Sequence, residues 1–268
     1  MHFRKHSSRG ERVYGSYPPA FCVVAQGSKD IFLGDETFRY DASNYLITTM
    51  ELPLSGKVVD VSAQRPYLNF RMVLDPSVVA SVMVDAGYVH PKNGGEVKAV
   101  GVSPLDNDLL DATVRLVRLI DSPDEYRLLA PLVVREIVYR LLMGEQGNRL
   151  CHLAKLGGKT HRIARAIMTI RSVFHESIRI EYLAEELDMS VSGLHSHFKT
   201  VTGMSPLQFQ KQLRLQEARR LMLSDNLDAT QAGKQVGYDD PSHFTREYKR
   251  LFGQPPKRHV EQFREVST

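Results

Sequence analysis

Short apolar runs separated by turn signals fill most of the first quarter of the chain. The runs are rich in Val, Ile, Phe and Tyr, and they lie at 21–25, 30–33, 37–40, 45–48, 57–61 and 67–74. Gly, Asp and Pro punctuate them. Many short strands at close spacing, with no helices between them, predict a small β-barrel or a β-sandwich. A short helix is predicted over 76–84, and a polar, Gly-rich loop or hairpin over 90–101.

The apolar positions take up a helical period from Ser103 onward. Ser103-Pro104 predicts the cap and first-turn proline of a helix whose apolar positions are Leu105, Leu109, Leu116, Leu119 and Ile120. A second helix is predicted to open at Asp121-Ser122-Pro123, with an apolar stripe at Leu129, Val133, Ile137, Leu141 and Leu142. This stripe is expected to serve partly as a packing surface on the β region and partly as a subunit interface. The segment 147–159, which is rich in Gly and Lys, predicts a linker.

The last hundred residues are helical by pattern and contain an internal repeat. The segments MSVSGLHSHFKTVTGMSP (189–206) and GYDDPSHFTREYKRLFGQPP (237–256) each predict a short helix, a turn and a second helix. Each second helix is followed by a glycine, Gly203 or Gly253, and then by a proline, as helix ends commonly are. A long helix that begins at Ser205-Pro206 joins the two copies. Two helix-turn-helix units at this spacing suit two successive major-groove segments of DNA.

The repeat also separates buried from outward-facing positions. Leu183, Ala184 and Leu187 fit the buried face of the first bracing helix. The aromatic and apolar positions Leu194, Phe198, Phe244 and Tyr248 fit the anchors of the two recognition helices. The candidate DNA-contacting residues that remain are Ser192, His195, Ser196, Lys199, Ser242, Thr245, Arg246 and Lys249. Arg246 is the best candidate for direct readout, because a guanidinium can donate two hydrogen bonds to guanine O6 and N7.

Charge distribution agrees with this division of the chain. The net charge of +4 is uneven, since residues 1–154 carry −1 and residues 155–268 carry +5. A basic half beside a near-neutral one is typical of a protein that contacts the phosphates of a nucleic acid. The two cysteines, Cys22 and Cys151, are far apart and predict neither a disulfide framework nor a zinc site. No apolar run approaches the length of a membrane span, so a cytoplasmic protein is expected.

The chain lacks the residue patterns of the common catalytic and metal sites. His195 and His197, two apart on a helix, point to different faces and cannot chelate a metal from that helix alone. The N-terminal half contains no HxH pair, which argues against metal-dependent cupin chemistry. No phosphate loop, nucleophile elbow or HExxH is present, so no enzyme activity, catalytic residue, metal or cofactor is expected. Cys22 is either a buried small hydrophobe or, if it is exposed with a lowered pKa, an effector-sensing thiol.

The C-terminal hundred residues resemble the DNA-binding domain of the AraC/XylS family of transcription regulators. The resemblance rests on the recognition helix at 190–203, on the central helix with Leu213, Ala218 and Leu221, and on VGYDDPSHFTREYKRLFGQPP at 236–256. The N-terminal half resembles the cupin-like domain of one branch of this family, most clearly at 21–56 and 121–147.

The resemblance implies an α+β chain of two domains. A cupin-like effector barrel at 1–102 would be followed by a helical dimerisation element and linker at 103–159. An all-α domain with two helix-turn-helix units would occupy 160–264. The resemblance also implies a homodimer that binds double-stranded promoter DNA, acts with RNA polymerase as an activator, and responds to a small-molecule effector.

One departure from the family pattern and two alternatives accompany this interpretation. Family members usually place apolar or alanine residues where this chain has Gly233 and Lys234. Gly costs about 1 kcal/mol relative to Ala inside a helix, so the second bracing helix is expected to be loosely held. The alternatives are a ligand-independent DNA-binding protein and a metal-free cupin-type enzyme with an appended helical domain.

Overall fold

Two antiparallel β-sheets form the N-terminal half of the chain. The computed structural model describes residues 1–88, 97–154 and 158–266. Sheet I has the strand order β1-β8-β3-β6-β9, and sheet II has the order β2-β7-β4-β5. The strands are β1 (His2–His6), β2 (Val13–Tyr17), β3 (Ala20–Gln26), β4 (Ser28–Leu33), β5 (Glu36–Asp41), β6 (Asn44–Thr48), β7 (Leu52–Asp60), β8 (Tyr67–Val73) and β9 (Val100–Pro104). The six strands predicted from apolar runs are confirmed as β3 to β8.

The central strands of sheet I, β3 and β6, are buried on both faces. Successive side chains of a strand point to opposite faces, and in β3 Phe21 and Val23 join a core shared with helices. Cys22, which lies between them, faces sheet II and has Leu46 and Arg71 as its cross-strand neighbours. Two buried faces explain why the sequence of β3 is almost continuously apolar.

Four helices cover the outer face of sheet I. They are α1 (Pro76–Asp85), α2 (Asn107–Arg118), α3 (Pro123–Met143) and α4 (Gly147–Ala154). Val79, Leu116, Ile137 and Leu150, one from each helix, are fully buried in the same cluster as Phe21. Helices, sheet I and sheet II therefore form three layers. The predicted starts of α1 and α3 are confirmed, and α3 carries a first-turn proline.

The prediction that Ser103-Pro104 opens a helix was wrong. These residues end strand β9, where Ser103 pairs with Tyr45 of β6. Helix α2 begins instead after Asp106, whose side chain accepts a hydrogen bond from the Leu109 amide at 2.8 Å. An Asp at this position caps the helix as well as a Ser would, and the short strand VGVSP is too brief to show a period. The expected loop at 90–101 lies largely outside the described residues; of its described part, 97–101, Val100 and Gly101 belong to β9.

The prediction of a linker over 147–159 was also wrong for its first part. Residues 147–154 form α4, and Leu150 and Cys151 are fully buried in the core of the N-terminal half. Glycine at position 147 suggested a loop, but tertiary packing outweighs its poor helix propensity. Positions 155–157 lie outside the described residues, and α5 begins at Gly158. The helices of 103–154 thus share one core with sheet I.

The C-terminal half is helical. Its helices are α5 (Gly158–Ser172), α6 (Ile180–Glu186), α7 (Val191–Thr202), α8 (Pro206–Ser224), α9 (Ala229–Gln235), α10 (Pro241–Phe252) and α11 (Pro256–Val266). The predicted start of α8 is confirmed by a capping box, in which Ser205 and Gln208 bond to each other's backbone amides. The pairs α6–α7 and α9–α10 form two helix-turn-helix units. The segments 189–206 and 237–256 contain only the second helix of each unit, since α6 and α9 end before them. The chain divides into two compact units, one of Met1–Arg162 with Thr200–Gly203 and the other of the remaining residues.

Candidate nucleic-acid interface

The two recognition helices, α7 and α10, are anchored in the same way. Leu194 and Phe198 of α7 are fully buried, and so are Phe244 and Tyr248 of α10, each fifty residues further along the chain. In both helices the anchors are four residues apart, which places them on one face. The opposite face of each helix is consequently turned to solvent.

The ends of these helices follow from local sequence. The Ser190 hydroxyl accepts a hydrogen bond from the Gly193 amide at 3.1 Å, and the Asp240 carboxylate accepts one from the Ser242 amide at 2.8 Å. Helix α10 ends at Gly253, whose φ of 81° lies in the left-handed region. Glycine reaches that region without steric cost. Caps and glycine therefore fix where each recognition helix starts and stops.

All eight candidate DNA-contacting residues lie on α7 or α10. Seven are exposed and His195 is half-buried; the exposed ones are Ser192, Ser196, Lys199, Ser242, Thr245, Arg246 and Lys249. The Thr245 hydroxyl donates to the Pro241 carbonyl at 2.8 Å, so it is turned toward its own helix. The side chains of Arg246, Lys199 and Lys249 form no hydrogen bond or ion pair with another described residue. These three cations remain available to an external anion.

Gly233 lies where α9 packs closely against α10. A Cβ atom at this position would lie 3.0 Å from the Phe244 ring of α10. Both residues are buried, so α9 and α10 approach closely at this point. The start of α9 is held by a capping box between Asp228 and Gln231. The expectation of a loosely held second bracing helix was based on the helix propensity of glycine alone. Propensity does not include the contact with Phe244 or the capping box.

Arg214 of α8 holds two separate segments of the helical unit together. Its guanidinium donates to the carbonyls of Phe174 (2.6 Å), Glu176 (2.8 Å) and Gly237 (2.8 Å). The first two precede α6, and Gly237 lies in the turn between α9 and α10. Gln210, one turn earlier, donates to the Phe174 and Glu176 carbonyls as well. Arg214 thereby ties the entrance of the first helix pair and the turn of the second to the central helix α8. No local pattern in the sequence indicates this role.

An ion pair also links α10 to α8. Glu247 of α10 pairs with Lys211 of α8 at 2.7 Å and with Arg250 at 2.8 Å. The Glu247 side chain is only 13% exposed, so water screens these pairs less than it screens surface pairs. Lys211 and Arg250 are thus partly neutralised, in contrast to Arg246 and Lys249 on the same helix.

The thiol proposed as a sensor lies inside the N-terminal half. Cys22 is buried and lines a small cavity between the two sheets, together with Lys29, Tyr40 and Arg71. Burial raises the pKa of the Cys22 thiol to about 11. A sensing thiol needs exposure and a lowered pKa, and Cys22 has neither. The interpretation as a buried small hydrophobe fits this environment.

Comparison with protein families accounts for both halves of the chain. Residues 1–149, more than half of the chain, match the model of the AraC-type transcriptional regulator N-terminus. Residues 183–262 match a helix-turn-helix domain, which spans α7 and α10. The chain belongs to the AraC-type transcriptional regulators. The resemblance noted from the signature at 236–256 is confirmed.

Curated relatives of this AraC-type chain include named regulators. The transcriptional activator RhaS of Escherichia fergusonii is 27% identical over 164 residues, which cover 61% of this chain and 58% of RhaS. The transcriptional regulator ArgR of Pseudomonas aeruginosa is 25% identical over 147 residues, covering 54% of this chain and 45% of ArgR. The match thus spans about half the length of each relative.

Solved structures show the same fold over nearly the whole chain. ToxT of Vibrio cholerae matches with a TM-score of 0.60 at 11% identity, covering 97% of this chain and 96% of ToxT. Another ToxT structure, which contains a bound unsaturated fatty acid, matches with a TM-score of 0.58 at 11% identity, covering 96% of this chain and 94% of that one. The predicted fold class, an N-terminal β domain followed by a helical domain with helix-turn-helix units, is confirmed.

Within the described ranges, no helix combines the length and the apolar character needed to cross a bilayer. In that same part of the chain, no three or more His, Cys, Asp or Glu residues come together in a way that could hold a metal ion.

Proposed function

We propose that this AraC-type chain is a sequence-specific DNA-binding activator that inserts α7 and α10 into the grooves of promoter DNA. The observation that carries this proposal is the matched pair of helices, each with two buried anchors and an outer face with unpaired cations. Phosphate contacts need such cations, and base readout needs polar side chains beside them. Activation is proposed because RhaS is named an activator. RNA polymerase would be its partner, in the cytoplasm.

Titration of labelled promoter DNA at several salt concentrations tests DNA binding. The logarithm of the affinity should fall steeply with the logarithm of the salt concentration, because bound cations release counterions. Arg246→Ala should cost about 1–3 kcal/mol and relax the preference at one or two base pairs. Lys199→Ala is the matched control, since a phosphate contact weakens binding to all sequences about equally. Salt-independent binding, or none to the upstream region, would refute the proposal.

The proposal includes dimerisation through the outer face of α3. Leu128, Leu132, Tyr139 and Met143 recur at helical spacing and are between 47% and 72% exposed. The opposite face of α3, with Val133, Ile137 and Leu141, is buried in the core of the N-terminal half. A helix that is apolar on both faces exposes a stripe that a second copy of the chain can cover. The sequence stripe at 129–142 is therefore mostly core, and the proposed interface lies opposite.

Sedimentation of the full chain tests this interface. Leu132→Glu should convert dimer to monomer at micromolar concentration, because it places a charge in the centre of the stripe. Val84→Glu, at an apolar residue of α1 that is 80% exposed, is the matched control and should leave the dimer intact. An unchanged mass for Leu132→Glu would exclude α3 as the interface.

Control by a small molecule is proposed to act through the cavity between the sheets. A cavity enclosed by two sheets is a common place for a ligand. Its volume of about 20 Å³ leaves room for one or two water molecules, and this small size favours the second candidate, a ligand-independent DNA-binding protein. A compound that raises the melting temperature and also changes promoter affinity would support control. A promoter affinity that no bound compound alters would support ligand independence.

A further inference from the structure

The cavity between sheets I and II is cationic. Three basic side chains line it: Lys29 of β4, Arg71 of β8 and Arg4 of β1. The remaining lining residues are neutral, and no carboxylate is among them. None of the three cations pairs with a carboxylate in the described part of the chain. The cavity therefore holds positive charge without a counter-charge from the protein.

Lys29 is the most deeply placed of these cations. The residue is only 9% exposed, and its ammonium donates no hydrogen bond to another described residue. Its Nζ lies 5.7 Å from the centre of the Tyr17 ring. Burial, together with the nearby charges of Arg4 and Arg71, lowers the pKa of Lys29 to about 8. An unpaired buried ammonium is costly, so a partner that pairs with it would stabilise the fold.

Arg71 presents a donor in the same place. Its Nε is fully buried and has no hydrogen-bond partner among the described residues, while Nη2 donates to the Pro18 carbonyl at 3.3 Å. Guanidinium groups bind planar carboxylates well because their N–H groups form a fixed fork. A buried N–H without an acceptor normally costs free energy, and an anion in the cavity would supply the acceptor.

The register of the strands explains why the protein provides no acid. Asp30 follows Lys29 in β4 and therefore points to the outer face of sheet II, where Arg39 binds it at 2.7 and 2.9 Å. Lys57, the cross-strand partner of Asp30, lies on that same outer face and is exposed. On the outer face Asp30 therefore has a cationic partner, whereas the cations of the inner face have no carboxylate beside them.

We infer that this cavity binds a small carboxylate, whose oxygen atoms accept hydrogen bonds from Lys29 Nζ and Arg71 Nε. The inference deepens the proposed control of the regulator, since it names the chemical class of the effector. The volume of about 20 Å³, which is room for one or two water molecules, limits the ligand to a group no larger than formate or acetate. A long acyl chain does not fit the cavity in this structure.

Thermal unfolding of the full chain in sodium acetate tests the inference, with sodium chloride at equal ionic strength as the reference. A hundredfold excess of acetate over its Kd should raise the melting temperature by roughly 5–10 °C. Lys29→Met should abolish this rise, and it should also raise the melting temperature without acetate, because it removes a buried unpaired charge. Lys57→Met changes the same charge on the outer face and should preserve the response to acetate. Arg71→Gln should weaken it.

Three results would overturn the inference. They are equal melting temperatures in acetate and chloride, an undiminished response in both Lys29→Met and Arg71→Gln, and a Lys29→Met variant that is less stable without acetate. Promoter affinity, measured with and without acetate, separates this inference from the proposed control. Acetate binding that leaves DNA affinity unchanged would confirm the anion site and refute control through it.

Discussion

The three hydrogen bonds from Arg214 to backbone carbonyls give the sharpest prediction about the helical unit. Arg214→Met keeps the length and apolar stem of the side chain and removes all three hydrogen bonds to backbone carbonyls. Gln210 still donates to the Phe174 and Glu176 carbonyls, so two of the three acceptors keep a partner. The Gly237 carbonyl loses its Arg214 donor.

The expected loss follows from these contacts. A hydrogen bond from a charged donor contributes about 1.5–3 kcal/mol when buried, and less where water can replace it. Arg214 is half-buried, and burial lowers its pKa, so some of its hydration is already lost in the folded state. About 1 kcal/mol for each of three bonds gives a loss of about 3 kcal/mol in the free energy of unfolding.

Urea unfolding followed by far-ultraviolet circular dichroism measures this loss, and hydrogen exchange locates it. Exchange should accelerate in the segments around 174–176 and 237. Arg220→Met, in the same helix, is the matched control. Among the described residues, Arg220 pairs with the solvent-accessible carboxylates of Glu217 and Asp225, which are 34% and 46% exposed, and surface pairs of this kind contribute about 0–1 kcal/mol. If the two variants lose the same free energy of unfolding, the three hydrogen bonds of Arg214 do not stabilise the helical unit as proposed.

Two further predictions concern packing and thiol chemistry. Gly233→Ala should destabilise the chain by about 1–3 kcal/mol despite the better helix propensity of alanine, because the new Cβ would lie 3.0 Å from the Phe244 ring. Denaturant unfolding measures this loss, with the exposed-site variant Lys234→Ala as the control. A gain in stability for Gly233→Ala would contradict the prediction. The thiol of Cys22 should react with iodoacetamide roughly a hundredfold more slowly than an ordinary thiol at pH 8, since a pKa of about 11 leaves little thiolate. Its rate should rise about tenfold per pH unit up to about pH 10, as judged by mass spectrometry, and rapid labelling of the folded chain at neutral pH would show that Cys22 is exposed.

The sequence by itself determined the elements whose signals are local. Apolar runs bounded by turn residues located β3 to β8, because a strand buried on one or both faces needs such residues in consecutive or alternate positions. The fifty-residue repeat, with a buried aromatic and a closing glycine in each copy, located α7 and α10. Caps and C-terminal glycines act within one turn, so their residues can be recognised without the fold.

Only the tertiary structure decided the features that depend on distant neighbours. Strand β1 (HFRKH) is exposed along its whole length and forms because β8 offers it a free edge, which leaves no apolar pattern to recognise. Helix α4 forms because its apolar side is buried, although it begins with glycine. The position of Arg214 beside three carbonyls, the contact of Gly233 with Phe244, and the gathering of Lys29 and Arg71 around one cavity join residues far apart in sequence. Hydrogen bonding, close packing and charge depend on distances in space, and the folded chain alone sets those distances.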